Sequence, residues 1–172
     1  MLVLCLSFSI ALIDQATKLL ICANFFRGDD IPVFPGFYDL RYIQNTGAAW
    51  GMLSGFNRWL VLLSVVMVIV IIKLRRYFLS STPVHRVVMG MMIGGIVGNL
   101  IDRLKLGYVV DFLDFHWHEH PFPAFNVADS AICISVGLYI LSQIFPGTSE
   151  SKTAAAETKA QPDSSTSTAQ GK

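Results

Sequence analysis

The sequence predicts an all-α membrane protein, a bundle of four transmembrane helices that carries a small β-sheet and a mobile segment on its outer face. Of the 172 residues, 53% are hydrophobic and only 15% are charged, whereas soluble domains carry about 25% charged residues. The chain also contains four separate apolar segments. Each is long enough for a helix to cross the hydrocarbon core of a bilayer.

These apolar segments define one membrane domain over residues 1–145, with outer loops at 27–56 and 105–126. Residues 146–172 are rich in Ser, Thr, Ala and Gln and have no apolar period, which predicts a disordered tail. The predicted spans lie at about residues 2–26, 57–73, 84–104 and 127–145.

Basic residues around the link between the second and third spans predict the orientation of the bundle. They are Lys73, Arg75, Arg76, His85 and Arg86. The positive-inside rule places this link in the cytoplasm, and an even number of spans then brings both termini and the tail to the same side. The two outer loops face the opposite side, and acidic residues outnumber Lys and Arg there.

Short strands are predicted in both outer loops. Residues 37–43 alternate between apolar and polar side chains, and residues 109–115 are rich in β-branched and aromatic side chains. We expect the two segments to pair in a small sheet. Between the first strand and the second span, Gly47, Gly51 and Gly55 predict a segment that is free to move.

Composition also limits the partners of this chain. A net charge of +1 without clustered basic residues on the outer loops argues against a nucleic-acid partner. The three cysteines are widely spaced and form neither a disulfide framework nor a zinc motif. The first span has no basic segment before it and is interrupted by Asp14 and Lys18, so we expect it to be retained rather than cleaved. A monomer in contact with membrane lipid is expected, without a cofactor or a metal.

Ionisable residues inside predicted spans are costly in a bilayer and mark a functional region. Asp14 and Lys18 lie at i and i+4 of the first span, so they share a face and can neutralise each other. A pair that only fixes helix packing fits this spacing as well as a direct role does.

The third span carries a second polar group near its outer end. Asn99, Asp102 and Arg103 lie at i, i+3 and i+4, which gathers them on one face. We interpret Asp102 and Arg103 as a structural ion pair that braces a site. Gly94, Gly95 and Gly98 precede them and provide a surface on which neighbouring helices can approach closely.

Two further acids lie on the outer side of the bundle. Asn126 is placed as the N-cap of the fourth span, and Asp129 falls in its first turn, so capping alone could explain both. Capping does not explain Asp111, which lies in an apolar Val-Val-Asp-Phe setting. Asp114 lies three positions further along the same strand and faces the other way, and the residues alone do not decide between Asp111 and Asp114.

Two carboxylates held close together cannot both ionise, so they share one proton and act as a base and an acid at once. The ionised member can take a proton from a water that attacks a peptide carbonyl, while the protonated member polarises the carbonyl oxygen. Such hydrolysis needs no metal.

Five polar motifs follow one another along the predicted spans. They are Asp-Gln-Ala-Thr-Lys at 14–18, Asn-Thr-Gly-Ala-Ala-Trp-Gly at 45–51, Gly-Gly-Ile-Val-Gly-Asn-Leu-Ile-Asp-Arg at 94–103, Val-Val-Asp-Phe at 109–112 and Phe-Asn-Val-Ala-Asp-Ser at 125–130. With these motifs the chain resembles, over roughly residues 10–145, the lipoprotein signal peptidases, a family of four-span bacterial aspartic proteases also called signal peptidase II.

The resemblance implies that Asp111 and Asp129 are the catalytic acids. It further implies supporting or substrate-binding positions around them, with Lys18 and Asp102 supporting rather than chemical. These positions are Asp14, Lys18, Asn45, Gly47, Asn99, Asp102, Arg103 and Asn126.

The implied substrate is a prolipoprotein whose signal-peptide cysteine bears a diacylglyceryl group, cleaved on the amino side of that cysteine. The implied location is the bacterial inner membrane, with the site, the sheet and the mobile segment on the periplasmic side. The segment around residues 45–55 would form the rim that clamps the substrate.

Alternative interpretations remain at this stage. His116, His118 and His120 alternate along the chain and would share a face of a strand, which raises metal binding, although an exposed loop explains them more simply. A proton- or ion-coupled transporter could use the buried aspartates as a relay, although such acids usually lie near the bilayer midplane. A purely structural membrane subunit is a third interpretation, in which neutralising the acids would do no harm.

Overall fold

The computed structural model describes residues 1–78, 83–117 and 120–145. The described residues form four long helices and four strands, and each helix is long and apolar enough to cross a membrane. This confirms the predicted four-span architecture. In chain order the elements are α1 (Leu2–Asn24), β1 (Asp30–Phe34), β2 (Tyr38–Asn45), a short 3-10 turn (Ala49–Gly51), α2 (Asn57–Phe78), α3 (Pro83–Lys105), β3 (Val109–Trp117), β4 (His120–Pro121) and α4 (Val127–Ile144).

The helix bounds differ from the predicted spans mainly at two ends. α1 ends at Asn24, because Phe25 is already extended with φ −122° and ψ 139°. α2 continues to Phe78, past the predicted end at residue 73. Hydropathy falls at Lys73 and at the two arginines that follow. These residues are good helix formers, so the helix extends beyond its apolar stretch.

The four strands form an antiparallel sheet in the order β1-β2-β3-β4. Pairing of β2 with β3 confirms the predicted sheet, and β1 is an additional, fully exposed strand that the sequence analysis did not predict. Ile21 from the end of α1 packs with Tyr42, Val110 and Phe112 in a buried cluster. The sheet is therefore fixed to the end of α1 by apolar contacts.

α3 is the centre of the bundle, with 44% of its span buried inside the protein against 6% for α2. Glycines make this possible. A Cβ added at Gly94 would lie 2.7 Å from the carbonyl oxygen of Ser7 in α1, and one at Gly95 would lie 2.5 Å from that of Ala128 in α4. The predicted small-residue surface therefore serves both neighbouring helices.

Residues Met1–Tyr139 form one compact unit, which contains every site residue discussed below. The remaining described residues are the last turn of α4 and Phe145. The predicted disordered tail at 146–172 lies outside the described residues.

Candidate active site

One cavity of about 370 Å³ brings the two predicted acids together: Asp111 of β3 and Asp129 of the first turn of α4 both line it. We call these two residues the dyad. Asp111 is only 2% exposed. Asn45 of β2 and Asn99 and Arg103 of α3 line the same cavity, so residues from the sheet and from two spans meet at one place.

The register of β3 separates Asp111 from Asp114. Asp114 lies opposite Asp39 on β2 and accepts a hydrogen bond from Nη1 of Arg41 at 2.9 Å. Asp111 lies opposite Ile43 and turns its carboxylate to the amide of Asn45 and the cavity. Of the two acids between which the sequence could not decide, the cavity therefore contains Asp111.

Three side-chain amides donate hydrogen bonds to the dyad. Nδ2 of Asn45 lies 2.9 Å from Oδ2 of Asp111, and Nδ2 of Asn126 lies 2.7 Å from Oδ1 of the same residue. Nδ2 of Asn99 lies 2.7 Å from Oδ1 of Asp129. Hydrogen bonds to an ionised acceptor are stronger than those to a neutral one, so these amides offset part of the cost of burying negative charge.

Each amide is oriented by a group that can only donate. Because an ammonium or a backbone N–H must face the amide oxygen, the NH₂ group turns to the carboxylate. The orienting bonds run from Lys18 Nζ to Asn99 Oδ1 at 2.9 Å, from the N–H of Gly47 to Asn45 Oδ1 at 2.9 Å and from the N–H of Asp129 to Asn126 Oδ1 at 3.0 Å. The last bond also makes Asn126 the N-cap of α4, as predicted.

A second group of buried charges lies beside the dyad, between α1 and α3. Nζ of Lys18 lies 2.9 Å from Oδ2 of Asp14 and 2.9 Å from Oδ2 of Asp102. We call these three residues the charge cluster. Gln15, which the sequence analysis did not single out, donates from Nε2 to Oδ1 of Asp102 at 2.7 Å. Gln15 lies between Asp14 and Lys18 in an otherwise apolar span, and this position was the signal in the sequence that could have identified it.

The charge cluster also holds the backbone next to each dyad acid. Oδ1 of Asp14 accepts a hydrogen bond from the N–H of Ala128 at 2.9 Å, and Oδ2 of Asp102 accepts one from the N–H of Val110 at 3.1 Å. Ala128 and Val110 directly precede the two dyad acids in the sequence. Because Lys18 binds both carboxylates, it links the two backbone segments that carry the dyad.

The predicted ion pair between Asp102 and Arg103 is wrong. Consecutive residues on a helix point about 100° apart, so Asp102 faces Lys18 on α1 while Arg103 lines the cavity. Nη2 of Arg103 instead donates to the carbonyl oxygen of Gly47 at 3.2 Å. Arg103 thereby connects α3 to the segment that follows β2.

Gly47 does not have the predicted role of giving that segment freedom to move. Gly47 is buried, and a Cβ added there would lie 2.5 Å from the carbonyl oxygen of Met52, so its role is close packing. Gly51 and Gly55 differ, because their φ angles of 70° and 85° favour glycine and an added Cβ would meet open space. Trp50 between them has φ 55° and is 74% exposed.

Burial, and next the charge of Asp129, raise the pKa of Asp111 to about 7. Hydrogen bonds from Asn45 and Asn126 and the charge of Lys18 act in the opposite direction. A carboxyl group with a pKa near neutrality can hold or release a proton under physiological conditions, which suits acid and base catalysis.

The histidine run lies only partly within the described residues. Nδ1 of His116 lies 3.7 Å from Oδ2 of Asp39 on the neighbouring strand. His118 and the side chain of His120 lie outside the described residues. The described part therefore presents His116 as a partner of a carboxylate across the sheet.

Comparisons with known proteins agree with this geometry. A family model described as Signal peptidase (SPase) II matches residues 6–145. The lipoprotein signal peptidase of Syntrophotalea carbinolica is 41% identical over 134 residues, covering 76% of this chain and 83% of the relative. That of Shewanella pealeana is 43% identical over 153 residues, covering 82% and 85%.

A solved structure, a bacterial membrane enzyme determined by the in meso method, superposes with a TM-score of 0.76 at 28% identity, over 94% of this chain and 93% of that one. The family model covers most of this chain, including both acids of the dyad and every residue of the charge cluster. The chain therefore belongs to the signal peptidase II family.

Proposed function

We propose that this chain is an endopeptidase that removes the signal peptide from lipid-modified prolipoproteins, using a water molecule activated by Asp111 and Asp129. One observation carries the proposal: two acids line a single cavity with amide donors directed at them and no basic residue hydrogen-bonded to either among the described residues. Membership of a peptidase family and relatives named lipoprotein signal peptidase support the reaction class and the substrate.

In the proposed reaction the dyad holds one proton. The ionised acid takes a proton from water as the water oxygen bonds to the scissile carbonyl carbon, and the protonated acid donates to the carbonyl oxygen. The C–N bond then breaks as one acid donates its proton to the leaving nitrogen and the other takes a proton from a hydroxyl of the tetrahedral intermediate, so the dyad again holds one proton. A pKa near 7 for Asp111 supports a shared proton at physiological pH.

The shape of the cavity supports a substrate that carries lipid. Beyond Asp129 and Ser130, the cavity continues along α4 to Ile132 and Cys133, one turn deeper into the span. A diacylglyceryl group could therefore stay in the apolar region while the bond on the amino side of its cysteine reaches the dyad.

The rim of the cavity is formed by the segment after β2. Ala48, Ala49 and Trp50 line the cavity, and Arg103 holds this segment through the carbonyl oxygen of Gly47. We propose that this rim clamps the substrate while Asn45, Asn99 and the other amides keep the dyad oriented.

The proposal includes a location. The chain is a multi-pass membrane protein, and we assign it to the bacterial inner membrane with both termini in the cytoplasm. The dyad then lies near the periplasmic face. This orientation rests on the basic residues around the link between α2 and α3. A monomer is sufficient, since both acids and all three amides come from one chain.

The test is cleavage of a purified precursor. We expect the wild-type chain, in detergent, to cleave a prolipoprotein whose cysteine bears a diacylglyceryl group, and to leave the unmodified precursor intact. Sequencing the product should place the lipidated cysteine at its new N-terminus. Equal cleavage of both precursors would contradict the lipid requirement, and cleavage that stops when a strong chelator is added would contradict the metal-free mechanism.

The transporter interpretation receives no support from the family or its relatives. A relay across the bilayer needs acids at successive depths. Instead, Asn99 joins the charge cluster to the dyad through its contacts with Lys18 and Asp129, so these acids form one connected group.

A further inference from the structure

A second cavity, of about 510 Å³, lies at the end of α3 opposite the dyad. It is bounded by the first residues of α1, the last turns of α2 and the first turns of α3. Nothing in the proposed reaction uses this cavity, because the catalytic groups all lie near the other end of α3.

The walls of this cavity are mostly apolar and partly exposed at the surface of the helices. Leu4 of α1 is 75% exposed and Ile72 of α2 is 44% exposed, and both line it together with Met89 and Ile93 of α3. The hydroxyl of Ser7 is already used, since it donates to backbone oxygens within α1 and α3. Such walls suit a hydrocarbon chain rather than a polar solute.

The rim of the cavity carries two arginines, Arg75 of α2 and Arg86 of α3, and both are exposed. Among residues 1–78, 83–117 and 120–145, neither forms an ion pair with a carboxylate. The sequence explains why: no Asp or Glu occurs before Asp14 or between Asn57 and Gly98. Two guanidinium groups therefore stand beside an apolar groove without an anion supplied by the neighbouring helices.

We infer that this cavity binds an anionic phospholipid, with the phosphate on Arg75 and Arg86 and an acyl chain along the wall formed by Leu4, Ile72 and Met89. A guanidinium group can bind two phosphate oxygens at once, and basic pockets between transmembrane helices are suited to acidic headgroups. A zwitterionic lipid brings a cation of its own, which the arginines repel. A free phosphate gains nothing from the apolar wall.

The experiment measures lipid binding by the full chain, purified and delipidated in an uncharged detergent. The probes are dioleoyl phosphatidylglycerol and dioleoyl phosphatidylcholine, which share their acyl chains and differ in net charge. Native mass spectrometry should show one phosphatidylglycerol retained at concentrations at which phosphatidylcholine is not. Thermal unfolding should show a larger rise in Tm with phosphatidylglycerol.

The test variant is Arg75→Gln with Arg86→Gln, and its affinity for phosphatidylglycerol should fall by about 30-fold. The matched control is Arg27→Gln with Arg58→Gln. It removes the same charge from two exposed arginines at the other end of the bundle, which also have no ion pair among the described residues. This control should bind phosphatidylglycerol as the wild type does. Cleavage of the lipid-modified precursor, retained by both variants, shows that they fold.

The apolar wall is tested separately with Val3→Trp, which fills the cavity without changing charge and should also abolish retention of the lipid. Equal losses of phosphatidylglycerol affinity in the two double variants would indicate electrostatic attraction to the whole protein surface and would overturn the proposal. So would unchanged binding in Arg75→Gln with Arg86→Gln, or in Val3→Trp. Competition by glycerol phosphate at the same concentration as the lipid would identify a free-anion site instead and would also refute it.

Discussion

Two groups of buried acids lie side by side in this molecule, and they are built differently. In the charge cluster, the single ammonium of Lys18 contacts two carboxylates, so each of these acids has a cation at 2.9 Å. In the described part of the chain, the two carboxylates of the dyad receive hydrogen bonds from neutral side-chain amides and form no ion pair. A cation in contact suits a scaffold, because it stabilises the ionised form of each carboxylate.

The dyad is left with excess negative charge and therefore binds a proton readily, as the pKa of about 7 for Asp111 indicates. Burial alone therefore does not identify an acid that can exchange a proton. Among residues 1–78, 83–117 and 120–145, no cation forms an ion pair with either dyad acid, and this distinguishes the dyad from the charge cluster. Asn99 lies between the two groups and connects them, since it accepts a hydrogen bond from Lys18 and donates one to Asp129.

The largest expected effect is on catalysis. Asp129→Asn should lower the rate of precursor cleavage at least about 1000-fold, because the pair can no longer hold and transfer a proton. The same substitution at Asp39, which faces His116 on the sheet and not the cavity, should leave the rate within about twofold of the wild type. Circular dichroism checks that both variants are folded. Substantial activity in folded Asp129→Asn would remove the distinction between the two groups.

The next effect is on stability. Lys18→Met should lower the free energy of unfolding by about 3–5 kcal/mol, because it leaves the buried carboxylates of Asp14 and Asp102 without their cation. Thermal unfolding in detergent measures the loss. Changing both carboxylates to amides in the same variant should recover part of it, since no unpaired charge then remains. A single Lys18→Met variant as stable as the wild type would mean that Lys18 does not stabilise the charge cluster.

A third effect concerns stability against pH. The pKa of Asp111 is about 7 in the folded chain against an ordinary value of 3.8. The folded state therefore binds more protons than the unfolded state between these values, and stability falls as pH rises through this window. Asp111→Asn lacks this dependence. Relative to the wild type, the Tm of this variant should rise by on the order of 10 °C between pH 4 and pH 8.

An offset in Tm between these two proteins that does not change with pH would contradict the raised pKa of Asp111. Asp114→Asn provides the matched control, because Asp114 pairs with Arg41 and faces away from the cavity. The Tm of Asp114→Asn should not rise relative to that of the wild type as pH increases.

The smallest effect is on the pH profile of cleavage. Activity should decline above about pH 7, where the dyad loses its shared proton. Asn45→Ala removes an amide whose hydrogen bond lowers the pKa of Asp111, so the decline in kcat/KM should move to higher pH by roughly half a unit. Gln44→Ala, which removes hydrogen bonds to Tyr42 on β2 and to Tyr108 just before β3, is the control and should not move the decline. A decline that moves to lower pH would contradict the assigned role of Asn45.

Much of the fold was predictable because a bilayer imposes strong rules on sequence. Apolar length identified the four spans, and alternation identified β2 and β3. The exposed strand β1 was missed, because Asp30–Phe34 has no buried face and hence no alternation of buried and exposed residues to detect.

Within the site, sequence patterns did not reliably predict which side chains pair with one another. Spacing along one helix correctly paired Asp14 with Lys18 but wrongly paired Asp102 with Arg103, because the true partner of Asp102 lies on another helix. Similarly, Gly47 was predicted to give its segment freedom to move, but the fold shows that the carbonyl of Met52 fills the space beside it. Contacts between distant segments depend on register and helix rotation, which local patterns do not specify.

The hydrogen bonds that Asp14 and Asp102 make to the residues before Asp129 and Asp111 have a consequence for biosynthesis. Asp129 lies on α4, the last of the four described helices, and the N–H of the residue before it is held by Asp14 of α1. While α4 has not yet inserted, the membrane part of the chain contains only one of the two dyad acids. Under the proposed mechanism, hydrolytic activity therefore arises only after α4 has inserted and packed against α1.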